Sequence, residues 1–487
     1  MRFWTTIGLI LVLSVVGLTY EIAAGRVLAP FFGTSLVTWT TVIATVLAGF
    51  SLGNALGGLA AERERGAAIA AVRGALVATA VLMALSPAIL ALIYGLGARG
   101  TAGMVVTVVA AFFPASVLVS FPSPLLARMA VEARPGREGS SLGLVLAAGS
   151  LGAIGGAVLA GFVALPLAGS AATFAACGAA ALACVPILRQ GAERPDPFAL
   201  VWPAGAVLAG GLAAGSVCQY ESGLSCLHVV RQGPAIELYA DRVPQAAERV
   251  VPEGAAEGAA ADAPAPLVLP YAQWIWARMA RDLGPAPAVL FVGGGGYTLP
   301  TQLLAARPGA RAVAVEIDPL VTEVVRAHLP RASAMIDRTG YDASAGGPPD
   351  GRLGIVHADG RVYLNETRRR FDAAVMDAFS SGSVPAHLAT RETYARLREI
   401  VDGPVYVNAI DRPDGQLARG LHAILRALYP HVRVVQGPVS DRGQANILLV
   451  ASPAPLPPLA EMPAGYAKTT LSPARPFTDD RGWVGHR

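Results

Sequence analysis

The first 216 residues contain seven apolar runs, at about 4–24, 36–60, 67–96, 101–121, 142–165, 168–188 and 198–216. Each is long enough as a helix to cross about 30 Å of hydrocarbon. A single run of this kind could be a buried core helix. Seven in succession leave no aqueous face to fold around, so residues 1–216 read as a transmembrane domain of about seven helices. The first run lacks a clear cleavage site and continues into "YEIAAGRVLAP", which marks a retained helix rather than a signal peptide. Gly53 with Gly57, and Gly152 with Gly156, have the GxxxG spacing that lets helix backbones approach in lipid. Glu21 and Arg26 lie near the end of the first run, where an ion pair is the structural expectation and a substrate contact the functional one.

Arginine placement orients the bundle. With the N-terminus inside, Arg63, Arg65, Arg128, Arg134, Arg137, Arg189 and Arg194 fall in cytoplasmic loops, and only Arg26 and Arg99 in outer ones. Seven crossings then make the following domain extracytoplasmic, in a multi-pass cell-membrane protein. The seventh run is short and contains Pro203. If it does not span, the domain is cytoplasmic.

Charged residues are 15 % of the chain, against about 25 % in soluble proteins, and the deficit is confined to the first 216 residues. The formal charge of +4 is too small to argue for a nucleic-acid partner. Of four cysteines, Cys177 and Cys184 lie in an apolar run and read as small core residues. Cys218 and Cys226 flank "QYESGLS" just past the last run. They are a candidate local disulfide, which requires an oxidising compartment; two separate buried thiols are the alternative. No Cys or His pair has metal-ligand spacing, so no metal site is expected.

Beyond residue 216 the pattern changes. In 217–283, "LSCLHVV" and "IELYADR" alternate as strands of a small β subdomain. "EGAAEGAAADAPAP" reads as a loop, and "YAQWIWARMARDL" as a helix. Residues 284–452 alternate strand and helix through "AVLFVG", "AVAVEI", "LGIVHA", "FDAAVMD", "PVYVNAI", "VRVVQG" and "ANILLVA". That alternation predicts an α/β domain with a mostly parallel, Rossmann-like sheet. Residues 453–487 are Pro-rich and expected to be irregular.

Ligands of such sheets sit at the carboxyl ends of the strands. Gly293, Gly294 and Gly295 follow the first strand, in "VLFVGGGGYTLP". Glu316 ends the second strand, Asp359 the third and Asp377 the fourth. Taken singly these are turn glycines, a helix cap and loop acids. In this order they outline a nucleoside site, with Glu316 placed for ribose hydroxyls. The loop is not a dinucleotide fingerprint, because Thr298 stands where GxGxxG needs glycine, and no Gly-Lys-Ser/Thr follows. A binder that cradles no pyrophosphate remains, such as one for an S-adenosyl compound.

At this point the chain resembles the spermidine/spermine synthase family, in its membrane-fused bacterial branch. The resemblance runs over most of residues 1–452. It rests on "YEIAAGRVLAP", "GNALGGLAAERERG", "SGLSCLHVV…LYADRVPQ", "VEIDP", "HADGR" and, most specifically, "DAFSSGSVPAHLATRETY". The resemblance implies a methyltransferase-like sheet behind a β subdomain. It implies decarboxylated S-adenosylmethionine as co-substrate, with no tightly bound cofactor, and a small-molecule amine as acceptor. The amine attacks the propyl carbon beside the sulfonium and methylthioadenosine leaves. Glu316 would hold the ribose, Asp359 with Gly360 would meet the adenine, and Asp377 would take a proton from the amine or orient it. Gln245 matches the family's glutamine after its second strand; Tyr271 and Gln273 match its substrate gate. Membrane lipid and a homodimer are the expected partners.

Three departures mark the acceptor side. Gly296, followed by Tyr297, stands where the family has an aspartate in Gly-Gly-Gly-Asp-Gly. The gate reads Tyr271-Ala272-Gln273 rather than Tyr-His-Glu or Tyr-Gln-Glu. Ser380 and Gly382 occupy the candidate positions of a further acid. The nucleoside half of the site is kept and the cation-binding half is depleted. Two other readings therefore stay open beside the aminopropyltransferase: a non-catalytic, ligand-binding or transport-associated membrane protein, and another S-adenosylmethionine-dependent transferase.

Overall fold

The computed structural model describes residues 2–32, 36–188, 201–213, 218–249, 264–344, 351–378, 385–441 and 443–481. Arg189, Arg194, Ser380, Gly382 and most of "EGAAEGAAADAPAP" lie outside them. The chain divides into two compact units, Met1–Cys226 and Leu227–Arg487.

Among the described residues of the first unit, five helices are long and apolar enough to cross a membrane: Phe3–Phe32, Val37–Ala61, Arg65–Gly95, Gly100–Glu132 and Glu138–Ile187. The first three are α1 (Phe3–Phe32), α2 (Leu36–Ala61) and α3 (Arg65–Gly95). The fourth comprises α4 (Gly100–Ser120) and α5 (Ser123–Glu132). The fifth holds two of the seven apolar runs. Its 50 residues would extend about 75 Å if straight, far beyond one bilayer. It is interrupted instead, as α6 (Glu138–Leu159), a π-helical turn Ala160–Ala164, and α7 (Leu165–Ala183), which leaves helical geometry at Gly169 with φ 76° and ψ 176°. The seventh run forms α8, a 13-residue helix Val201–Ala213, about 20 Å long. Leu151, Ile154, Phe162 and Trp202 are large apolar side chains left on the surface, which lipid solvates and water does not.

The GxxxG pairs are contact points. A Cβ on Gly53 or Gly57 would lie 2.1 Å from the carbonyl oxygen of Val117 or Phe121, so α2 and α4 touch backbone to backbone. Gly152 and Gly156 serve the same purpose between α6 and α1, against the carbonyls of Leu11 and Val15 at 2.4 and 2.5 Å. A Cβ on Gly58, the next residue along α2, would meet nothing within 4 Å. Gly57→Leu is therefore expected to cost about 1–3 kcal/mol or more through overpacking, while Gly58→Leu is close to neutral. Thermal unfolding of the two variants in the same detergent checks this, and equal midpoints would contradict it.

The two ends of this bundle differ in charge. At one end Arg134 lies over the ring of Phe3, 4.5 Å from its centroid, and Arg128 donates to the carbonyl of Ala61. Arg63, Arg65 and Arg137 flank the same helix ends. At the other end Phe31 and Phe32 pack on Tyr94, with Arg99 3.6 Å over the Tyr94 ring. Residues 218–226 belong to this second end. Arg26 Nε and Nη2 donate to Ser222 O at 3.1 and 3.0 Å. Ser170, just past the Gly169 break, donates its backbone N–H to Glu221 Oε1 at 2.9 Å and its hydroxyl to the same oxygen. A carboxylate here offsets the positive end of the restarted helix. Cys218 and Cys226 are joined in a disulfide. These ties place the division between the units at 226 rather than at 216. They also replace the ion pair expected of Glu21: Arg26 binds the Ser222 carbonyl, and Glu21 Oε2 is buried without a hydrogen-bond partner.

The second unit starts with an antiparallel meander, β2 (Cys226–Gln232), β3 (Ala235–Ala240) and β4 (Val243–Arg249), numbered after the two-residue β1 (Tyr220–Glu221). Helix α9 (Pro270–Asp282) follows. The main sheet has nine strands in the order β13-β11-β12-β10-β9-β5-β6-β8-β7. Its parallel part is β10 (Val405–Asp411), β9 (Ala373–Met376), β5 (Ala288–Val292), β6 (Arg311–Glu316), β8 (Leu353–His357) and β7 (Gly340–Asp342). Strands β12 (Ala445–Ser452), β11 (His431–Gln436) and β13 (Ala467–Lys468) continue it antiparallel. β5 is apolar from Val289 to Val292 and buried throughout, as expected where helices cover both faces. The Pro-rich tail has little regular structure, yet it supplies β13 and buries Leu456, Tyr466 and Phe477.

Candidate active site

β5 and β9 pair in parallel from Val289↔Ala373 to Val292↔Met376. The chain leaves β5 toward β6 and β8 on one side and comes back to β9 on the other. The strand order reverses between β5 and β9, which is where an open α/β sheet leaves a crevice at its carboxyl edge. The glycine loop and Asp377 leave these two strands side by side. Asp377 N–H donates to Val292 O at 2.9 Å. Gly293 has φ +99°, and a Cβ there would fall 2.2 Å from the Asp377 carbonyl oxygen, so only glycine fits.

Glu316 lies under the loop. Its Oε2 accepts from Gly294 N at 2.9 Å and Gly295 N at 3.3 Å, and its Oε1 from Asp318 N at 3.1 Å. Burial pushes its carboxyl above the usual glutamate value, while those three N–H groups favour the charged form. Asp318 caps α11 (Pro319–His328), the helix after α10 (Thr298–Ala306), through Leu320 N. Asp359 is likewise the N-cap of α13 (Gly360–Glu366), where α12 denotes Pro330–Thr339. Asp359 Oδ1 accepts from Arg361 N at 2.8 Å and Val362 N at 3.2 Å, and its Oδ2 meets His387 Nε2 at 2.9 Å. Burial alone would raise the Asp359 carboxyl, but these partners outweigh it and hold it below the usual aspartate value. Gly360 is buried against Val292, leaving no room for a side chain.

Asp377 is half-buried. Its Oδ1 accepts from Asn408 Nδ2 at 2.8 Å. Burial raises its carboxyl above the usual aspartate range, opposed by the hydrogen bond from Asn408 and by the neighbouring Tyr271 phenol. The Tyr271 phenol reaches both this carboxylate and the Gln245 carbonyl, 3.2 Å away. Burial, then the Asp377 charge, push its ionisation far up, so it serves as a proton donor. Gln245 therefore meets the site through its backbone. Gln273 turns away from the site, its Nε2 donating to Leu267 O at 2.7 Å. Tyr271, Gly293, Gly294, Gly295 and Asp377 line one cleft, with Phe291 and Leu299 as its apolar wall. Its volume is about 20 Å³, room for roughly one water.

Three features of the site have no signal in the local sequence. Tyr297, at φ +58°, buries its ring completely, with its hydroxyl 2.6 Å from Thr322 Oγ1, itself 2.9 Å from His357 Nε2. His387 Nε2 faces Asp359 Oδ2. Ala246 covers Gly296. Gly296 has φ +81°, and a Cβ on it would meet the Ala246 Cβ at 2.2 Å. β4 is held there because Glu248 accepts from Arg331 N at 3.0 Å and Ala332 N at 2.9 Å, at the start of α12.

Comparison with curated proteins gives polyamine aminopropyltransferases. The Pyrobaculum calidifontis protein is 33 % identical over 138 residues, 27 % of this chain and 44 % of that protein. The Saccharolobus solfataricus protein is 30 % identical over 120 residues, 24 % and 36 % respectively. Over these stretches the chain is similar to the polyamine aminopropyltransferases. It spans under half the length of these curated relatives. Among solved structures it is similar to a probable spermidine synthase from Corynebacterium glutamicum, at TM-score 0.41 and 18 % identity, covering 55 % of this chain and 93 % of that one. A spermidine synthase from Thermotoga maritima gives 0.35 and 19 %, covering 50 % and 73 %. No family model matches the chain.

Proposed function

We propose that the protein is a membrane-bound aminopropyltransferase of the spermidine-synthase type, in the membrane-fused branch. The observation that carries this is Asp377, a carboxylate at the switch point, beside the glycine loop and the Tyr271 phenol. The donor would be decarboxylated S-adenosylmethionine. Its ribose would lie over Glu316 and its adenine near Asp359 and Gly360, with the Tyr271 phenol and the Gln245 backbone bordering the gate and Gln273 turned away from it. An amine nitrogen uses its lone pair to bond the propyl carbon. The carbon–sulfur bond breaks, its electron pair neutralises the sulfonium, and methylthioadenosine leaves. An ammonium acceptor must lose a proton before it can attack, and Asp377 would take it. Burial raises the proton affinity of Asp377 above that of an exposed aspartate, which makes it the better base.

The acceptor side is short of acid. Gly296 carries none, and Ala246 occupies the space where its side chain would go. Gly296→Asp alone cannot restore the family's aspartate. A dication needs more than one carboxylate to repay its desolvation, so diamines should be poor acceptors. The test is methylthioadenosine release by full-length protein given decarboxylated S-adenosylmethionine and a panel of amines. Release with monoamines ahead of diamines is expected. Silence across the panel, with methylthioadenosine still bound, favours the second reading, a non-catalytic ligand-binding protein. One observation already leans that way: the carboxylates of Glu316 and Asp359 are hydrogen-bonded within the fold.

We also propose that the second unit is extracytoplasmic. Within the first unit, residues 218–226 lie at the bundle end opposite Phe3 and the arginine-rich loops. Arginine-rich ends are cytoplasmic, and the second unit follows Cys226 directly. A local disulfide at Cys218–Cys226 suits that side. Reporter fusions after residue 249 and at the C-terminus should be active only for an extracytoplasmic reporter; cytoplasmic activity would reject this placement.

A further inference from the structure

Asp377 is the end of a hydrogen-bonded line of three side chains across three neighbouring strands. Asn408, on β10, donates from Nδ2 to Asp377 Oδ1 at 2.8 Å. Asn446, on β12, donates from Nδ2 to Asn408 Oδ1 at 2.9 Å. The register makes this unavoidable once the side chains are amides. Val407 pairs with Met376, which puts Asn408 beside Asp377 at the strand ends. Asn408 pairs with Leu448, which puts Asn446 on the same face, two residues along an antiparallel neighbour. Asn408 is 3 % exposed, in a strand that is otherwise apolar from Val405 to Val407. A buried amide in such a strand is a cost unless its groups are bonded. Here each bond also has a fixed direction. An amide N–H can only donate, so Asn446 orients Asn408, and Asn408 presents a donor to the carboxylate.

We propose that Asn408, oriented by Asn446, is a positioning residue that holds Asp377 by Oδ1 and leaves Oδ2 to the acceptor amine and the Tyr271 phenol. This rests on the reading of Asp377 as the base. It assigns a role to two residues that lie outside the cleft and would touch neither donor nor acceptor. A carboxylate free to rotate about χ2 would spend one oxygen or the other on the cleft, and its proton affinity would rise. The Asn408 N–H favours the charged form and opposes the rise that burial causes. The titratable groups facing Asp377 from the elements packed on it are the Tyr271 phenol of α9 and, behind it, Tyr466 of the C-terminal segment.

The test reads Asp377 directly, in full-length protein. Its carboxyl band in a pH-dependent infrared difference spectrum is identified by its loss in Asp377→Asn. In Asn408→Leu the titration midpoint should rise, by about one pH unit for one lost hydrogen bond to the charged form. Asn446→Ala removes only the orienting amide and keeps Asn408; a smaller rise in the same direction is expected, and it serves if Asn408→Leu does not fold. Asn408→Gln, which restores an amide, should recover part of the shift. In the release assay the same variants should lower kcat with the donor KM unchanged, and move the acid limb of the pH profile upward with the infrared midpoint. An unchanged Asp377 midpoint in folded Asn408→Leu and Asn446→Ala overturns the proposal. The infrared reading needs no turnover. A wild type silent in the release assay therefore refutes the transferase reading and leaves the Asn408–Asp377 linkage to be judged by its own measurement.

Discussion

Asp377→Asn is expected to lower methylthioadenosine release by about 10²–10⁴-fold, the usual cost of losing a general base, while methylthioadenosine still binds. Asparagine keeps the shape and can still offer an oxygen to Asn408 Nδ2, so the line to Asn446 survives. What is lost is the charge that accepts the proton. The pH dependence follows from the direction of the shift. Burial raises the Asp377 carboxyl. The active, unprotonated form is therefore lost, as pH falls, at a higher pH than for an exposed aspartate. Wild-type kcat should rise with pH through that limb, and the residual rate of Asp377→Asn should not show it. A variant that keeps more than a tenth of the wild-type rate would remove Asp377 from the chemistry.

The second large effect concerns Glu316. Glu316→Ala should weaken methylthioadenosine binding at least about tenfold, or roughly 1.4 kcal/mol. Two losses combine. The ribose loses its acceptor, and the N–H groups of Gly294, Gly295 and Asp318 lose the oxygens that hold the loop. Buried donors left unpaired cost about 1–3 kcal/mol. Glu316→Gln keeps one acceptor oxygen and should fall between. Protonation should act like a mild form of the mutation. Because burial raises the Glu316 carboxyl, wild-type binding should weaken on acidification before an exposed glutamate would titrate. Calorimetry with methylthioadenosine across pH measures both effects. Equal binding by Glu316→Ala and wild type would mean that the loop is structural only.

The sequence was most informative where one property repeats along the chain. Seven β runs, from "AVLFVG" to "ANILLVA", coincide with β5, β6, β8, β9, β10, β11 and β12, because each is rich in β-branched and other apolar residues and alternates with helical patterns. β7 and β13 are three and two residues long, too short to carry a period. The acids at strand ends could be read because the carboxyl edge follows from chain direction alone. Their partners could not. Asn408 and Asn446 meet Asp377 only through the strand order β9-β10-β12, and Ala246 closes the space at Gly296 only once the meander lies over the loop. In the helical half, spacing marked Gly57 and Gly156 as contact points but not which helices they join. The Arg26 side chain, expected to pair with Glu21, instead takes a carbonyl nearly two hundred residues away in sequence, in the disulfide loop. Local charge pattern contains no sign of such a partner.

The central claim is transfer of an aminopropyl group, and the identity of the amine product tests it most directly. Full-length protein is incubated with decarboxylated S-adenosylmethionine and a monoamine, and the product amine is identified by mass spectrometry alongside methylthioadenosine. An amine carrying one added aminopropyl group, formed in step with methylthioadenosine and absent with Asp377→Asn, is the predicted result. A methylated amine formed from S-adenosylmethionine instead, or no product from a protein that still binds methylthioadenosine, would contradict it.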